Sequence, residues 1–201
     1  MIFYIGSIKI KLSFSFVALI VLMIIMCDER TVICSLLSSV IHECGHLFFM
    51  CVTTDIPKCI DFTLFGMRID RNSNTCISYK KEVLVALGGI IFNITFAAAG
   101  IILYYFFSAS YFIIFSTVNI IVAAVNSLPV SVLDCGRAVK YFMLIYNDAS
   151  TVEKNMKLIS AGFLILFWSF SICYYIFYGF NISLFALNIY SILITIIKKW
   201  S

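Results

Sequence analysis

Apolar residues run along this chain in long blocks, each closed by a short charged segment, without the alternation or the i, i+3, i+4 stripe of a soluble element. A helix needs about 20 apolar residues to cross roughly 30 Å of hydrocarbon. Such a window fits six times, at 12–27, 31–52, 83–107, 111–133, 156–178 and 180–197. The first follows Lys9 and Lys11 as a signal peptide would. It lacks a small-x-small cleavage site and runs into Cys27-Asp28-Glu29-Arg30, so it reads as a retained span. Between the second and third spans, Ile60-Asp61-Phe62-Thr63-Leu64-Phe65 and Met67-Arg68-Ile69-Asp70 alternate about Gly66, as short strands do, and Pro57 marks the exit from the second helix. The pattern predicts an all-α polytopic membrane protein of about six transmembrane helices, with a small membrane-associated β-hairpin between the second and third. No repeat, low-complexity tract or appended soluble domain interrupts it, so residues 1–201 read as a single membrane domain.

The charges orient these spans. Of the 14 basic residues, all but Arg30 fall on the side shared by the N-terminus, residues 53–82, residues 134–155 and the C-terminus. Basic residues collect on the cytoplasmic face, so both termini are expected there. Composition removes other classes. The chain is 63% hydrophobic and 12% charged, with mean hydropathy +1.07, against about 45–50% apolar and about 25% charged in a soluble domain. The net charge of +4 is scattered between apolar blocks, leaving no basic track for nucleic acid. Most of the 8 cysteines sit inside apolar blocks and none forms a CxxC pair, which argues against a disulfide framework.

The second span carries the chemistry. His42-Glu43-Cys44-Gly45-His46 is an HExxH motif. Residues four apart share a helix face, so both imidazoles can hold one metal while Glu43 reaches a water beside it. Zinc in such a site acidifies water and polarises a carbonyl, and a glutamate takes the proton, which is the chemistry of peptide hydrolysis. As structural residues instead, the histidines would be core groups bonded to neighbouring helices. That leaves unexplained a carboxylate in mid-membrane, where burial costs about 2.5–3.5 kcal/mol. Zinc wants a third protein ligand, and no further histidine exists, which leaves a carboxylate or a thiolate. Of the 10 acidic residues, only Glu43 and Asp134 are embedded at or beside an apolar span without acidic neighbours, and Asp134 becomes the candidate. His42 and His46 lie roughly 9 to 15 Å from the cytoplasmic end of their span. A break at Pro129 and Leu133-Asp134-Cys135-Gly136 would let Asp134 fold back to that depth.

These residues also resemble a known family. His42-Glu43-x-x-His46, followed by Asn126-Ser127-Leu128-Pro129-Val130-Ser131-Val132-Leu133-Asp134-Cys135-Gly136-Arg137, resembles the site-2 proteases with their NxxPxxxLDGGR signature, and Gly88-Gly89-Ile90-Ile91-Phe92-Asn93 is similar to their GPxxN element. The order of the three motifs and the six-span layout, without a PDZ insertion, are most like the stage IV sporulation protein FB group, although the CBS domain that some of its members carry is not expected here. The resemblance implies an intramembrane zinc metalloendopeptidase with one zinc per chain. It makes Asp134 the third ligand beside His42 and His46, Glu43 the general base, and Asn126 and Asn93 polar groups near the substrate or transition state. A buried amide pairing with another helix is the structural alternative for both asparagines. The resemblance further implies a membrane-associated protein substrate such as a pro-sigma factor in sporulation, membrane regulatory proteins as partners, no nucleic acid, and an active site within the bilayer toward the cytoplasm.

Two positions depart from the family. Cys135 replaces the first glycine of LDGGR and brings a thiol beside the metal, and Gly89 replaces the proline of GPxxN. Cys135 and Arg137 are candidate modulators, Arg137 by orienting the Asp134 loop. Cys44 lies on the far side of the helix from His42, where packing is its expected role. The region from Pro57 to Lys81 is a place for an extended substrate strand to dock. Two other classes compete: a metal-handling transporter on the same ligands, and a non-proteolytic scaffold. The first lacks an inverted repeat and ionisable groups in the non-cytoplasmic half; the second leaves the retained His42, Glu43, His46 and Asp134 without a purpose.

Overall fold

In the computed structural model, the described residues are 2–5, 8–12, 28–53, 59–63, 66–70, 78–179, 185 and 188–189. They hold five helices: α1 (Glu29–Thr53), α2 (Tyr79–Phe107), α3 (Ser110–Asn126), α4 (Asp134–Leu144) and α5 (Ala149–Tyr178). Three of these, α1, α2 and α5, are long and apolar enough to cross a membrane, with mean hydropathies of 1.5, 2.1 and 1.8.

The expected count of about six spans is therefore corrected to three among the described residues. The window at 111–133 does not form one helix. Instead α3 ends at Asn126 after 17 residues, about 25 Å at 1.5 Å per residue and short of the hydrocarbon thickness. Pro129 has no N–H for a helical ladder and biases Leu128 away from helix, so the chain turns before α4 begins. Most of the first window, 12–27, and most of the last, 180–197, lie outside the described residues, as does Pro57.

The expectation of an all-α protein with one small membrane-associated β-hairpin is corrected as well. Strands β1 (Ile2–Ile5), β2 (Ile8–Leu12), β3 (Cys59–Thr63) and β4 (Gly66–Asp70) form one four-stranded sheet in the order β1-β2-β3-β4. β1 and β2 are antiparallel, β2 and β3 parallel, β3 and β4 antiparallel. Ile10 pairs with Phe3 and Ile60, and Ile60 with Ile69. A lone two-stranded hairpin is marginal, and the added strands supply the pairing it lacks. Ile8-Lys9-Ile10-Lys11-Leu12 does alternate, the period of a strand.

The chain divides into two compact units, Met1–Ala124 and Val125–Ser201, with the boundary in the last turn of α3. In the first, α1 and α2 are packed closely enough that a Cβ on Gly88 would lie 2.6 Å from the Gly45 carbonyl oxygen, and a Cβ on Gly45 would run into the Gly88 carbonyl. Lipid tails provide no hydrophobic drive between helices, so close approach of small residues supplies dispersion contact instead. At the N-terminus of α1, the Asp28 carboxylate accepts the Thr31 N–H at 3.1 Å. Arg30 sits over the Tyr111 ring, 4.8 Å from its centroid. α2 ends at Ser108, in the left-handed conformation with φ 51°, whose N–H donates to the Tyr104 carbonyl. In the second unit, Gly136 of α4 is pressed against the Val130 carbonyl, and an exposed Glu153–Lys157 ion pair of 2.9 Å lies near the start of α5.

Candidate metal centre

The four-residue spacing on α1 brings His42 and His46 to one buried face, with 7% and 6% of their surfaces exposed. Their rings meet edge to face, 4.9 Å between centroids, and their Nε2 atoms are 3.3 Å apart. Nitrogens held about 2.0–2.1 Å from one tetrahedral zinc stand about 3.3 Å from each other, so the pair already has the spacing of two zinc ligands. His46 Nδ1 lies 2.8 Å from the Val85 carbonyl oxygen. A carbonyl only accepts, so Nδ1 carries the proton and the lone pair is left on Nε2. Such an outer bond fixes tautomer and ring orientation in metal-binding histidines.

α2 builds the other wall. A Cβ on Gly89 would lie 2.6 Å from His42 Cε1 and 2.7 Å from His46 Nε2. Glycine at this position leaves room for both rings at their donor edges. His46 meets Val85 and Gly89, and His42 meets Gly89, so the two helices run antiparallel through the site. One helical turn beyond Gly89, Asn93 is fully buried, and neither atom of its amide has a hydrogen-bond partner among the described residues. Glu43, next to the first histidine, is half-buried. Cys44 is exposed and a free thiol.

The remaining candidates belong to the second unit or to the end of α3. Asn126 is the last residue of α3 and half-buried. Asp134 opens α4, 7% exposed, where an acidic residue is favoured by the helix dipole. Arg137 Nη1 is 3.6 Å from Asp134 Oδ1. Burial pushes the Cys135 thiol up, and the neighbouring Asp134 charge pushes it the same way. The first unit thus offers two imidazoles, His42 and His46, and the second a buried carboxylate, Asp134, the donor types that zinc takes at catalytic sites.

One buried acid escapes a reading of the sequence. Glu82 looks like a span-end residue beside Lys80 and Lys81, yet it lies inside α2 and is only 8% exposed. It stands one turn before Val85 and Ala86, on the buried face of α2 that continues to Gly89. The signal was its three-, four- and seven-residue spacing from these small or apolar positions.

A site-2 protease from Methanocaldococcus jannaschii superposes on this chain with a TM-score of 0.67, covering 94% of this chain and 89% of its own. The chain shares the fold of that site-2 protease. The two sequences are 18% identical. No family model matches the sequence, and no curated relative does.

Proposed function

We propose that the protein is an intramembrane zinc metalloendopeptidase of the site-2 protease family, hydrolysing a peptide bond in or near a membrane-associated segment of another protein. The observation that carries this reading is the 3.3 Å separation of the His42 and His46 Nε2 atoms, with the His46 tautomer fixed by Val85. Asp134 is the third ligand of one zinc per chain, and the chain works as a single membrane domain. When bound, zinc supplies Lewis acidity toward water and toward a peptide carbonyl. Glu43 takes the proton from water and returns it to the leaving amine. Asn93 and Asn126 offer amide N–H groups to the substrate carbonyl as negative charge develops there. The Asn93 amide, without a partner among the described residues, favours this role, since burying such a group unpaired is costly. Arg137 orients the Asp134 carboxylate, and Cys135 modulates the site from the adjacent position.

The resemblance to the sporulation group supports a pro-sigma factor as substrate and membrane proteins as regulators. The distribution of basic residues supports cytoplasmic termini, with the active site toward that side.

The test compares the wild-type chain with Glu43→Gln, each co-expressed with a tagged, membrane-associated pro-sigma factor, reading product size and bound zinc. Cleavage by the wild type alone, with zinc in both, is expected, and turnover should fall by roughly 10²–10⁴. Equal cleavage by both, or no zinc in either, would overturn the protease reading. Zinc in the wild type with the pro-sigma factor left intact would overturn that substrate.

A further inference from the structure

We infer that Ser160, in the middle of α5, is the positioning residue that fixes the turn bearing Asp134, and through it the geometry of the metal's carboxylate ligand. The inference rests on the proposed role of Asp134. Between α3 and α4 the chain leaves the helical conformation over 127–133, and Pro129 offers no N–H with which to secure the turn there. Part of the turn is closed locally, by Leu133 N–H donating to the Val130 carbonyl at 2.9 Å and Arg137 N–H donating to Leu133 at 2.9 Å. Gly136 closes it from the α4 side, since any Cβ there would run into the Val130 carbonyl. All these contacts come from the same short stretch and would travel with it.

Ser160 ties the turn to another element. The Ser131 N–H donates to Ser160 Oγ at 3.0 Å across 29 residues of sequence, and Ser160 is 4% exposed. A backbone N–H in apolar surroundings needs an acceptor, and without this hydroxyl Ser131 would have to find one by moving the turn. Ser131 lies three positions before Asp134, within the hydrogen-bonded turn itself, so its displacement is passed to the carboxylate. A membrane-length helix thus anchors a ligand that it does not itself carry.

The experiment uses the full chain in detergent. Zinc affinity is measured by chelator competition, and the visible spectrum of the cobalt(II)-substituted protein reports ligand geometry. Ser160→Ala should weaken zinc binding about tenfold, as loss of an outer contact does, and alter the cobalt bands. Ser160→Thr, which keeps the hydroxyl, should recover both. Ser169→Ala serves as the control, because Ser169 is exposed on the same helix and its hydroxyl donates only to Ile165; it should match the wild type. If Ser160→Ala matches the wild type in both measurements while Asp134→Asn weakens zinc binding, the anchoring role is overturned and the ligand survives. If Asp134→Asn binds zinc like the wild type, the ligand assignment and the anchor fall together.

Discussion

α1 and α2 differ from α5 in what surrounds them, although all three are of membrane length. In its most apolar window α1 is 39% buried and α2 44%, against 11% for α5. The first two approach backbone to backbone at Gly45 and Gly88, whereas α5 leaves Leu158, Ile165, Leu166 and Phe170 largely exposed. The mean hydropathy of α5, 1.8, lies between those of α1 and α2, 1.5 and 2.1, so apolarity does not decide which helix becomes a scaffold. Small residues on a facing stripe do. The histidines are mounted where two backbones interlock, and α5 contributes the buried Ser160 hydroxyl to the turn before Asp134.

The sharpest way to break the packed pair is at Gly89. Gly89→Ala places a methyl against both imidazoles and should reduce kcat/KM about a hundredfold, the scale of an ångström's misplacement of a catalytic group. Peptide cleavage assays with zinc content measured alongside will check this. Gly88→Val comes next. Its side chain would meet the Gly45 backbone and the Phe49 ring, and it should destabilise the fold by about 1–3 kcal/mol, read by denaturant titration in micelles. Leu166→Ala on α5 is the contrasting substitution, and the same titration should move by less than about 0.5 kcal/mol. A loss as large as that of Gly88→Val would erase the distinction between the two regions.

The smallest effect is expected at the start of α1. Hydrogen bonds from the Thr31 hydroxyl and then its backbone N–H hold the Asp28 carboxyl below the ordinary aspartate range. A carboxyl lowered in the folded state contributes stability above its unfolded pKa and loses it as pH falls through the folded value. Exchange of the Thr31 amide, corrected for its intrinsic rate, should accelerate on acidification through that window. Asp28→Asn should abolish the dependence.

What could be read in the sequence follows the range of the interactions involved. His42-Glu43-x-x-His46 was legible because one helix's period alone sets both donors on a face. The α1 and α2 spans were legible from length and apolarity, although α2 starts at Tyr79, ahead of the expected Val83. The break after Asn126 is only partly legible: Pro129 announces it, but the run of apolar residues continues to residue 133. Strands β1 and β2 are not legible, because Lys9 and Lys11 read equally as topological charge and pairing of β2 with β3 brings together residues far apart in sequence. Burial of Glu82 was hidden for a similar reason, since two flanking lysines do not reveal which face of the first turn is covered. Ser160 carries no local mark at all; only folding brings it to Ser131.

The carbonyl of Val85 has two claims on it. It accepts from the His46 ring, and in the regular ladder of α2 it is also the acceptor for the amide of Gly89, four residues on. Any change in electron density on the imidazole, by metal or by a proton, alters how much of that oxygen is left for the glycine. The Gly89 amide proton is thus a native probe of the centre: its NMR chemical shift should follow zinc loading in the unlabelled, unmutated protein, with no substrate and no turnover required.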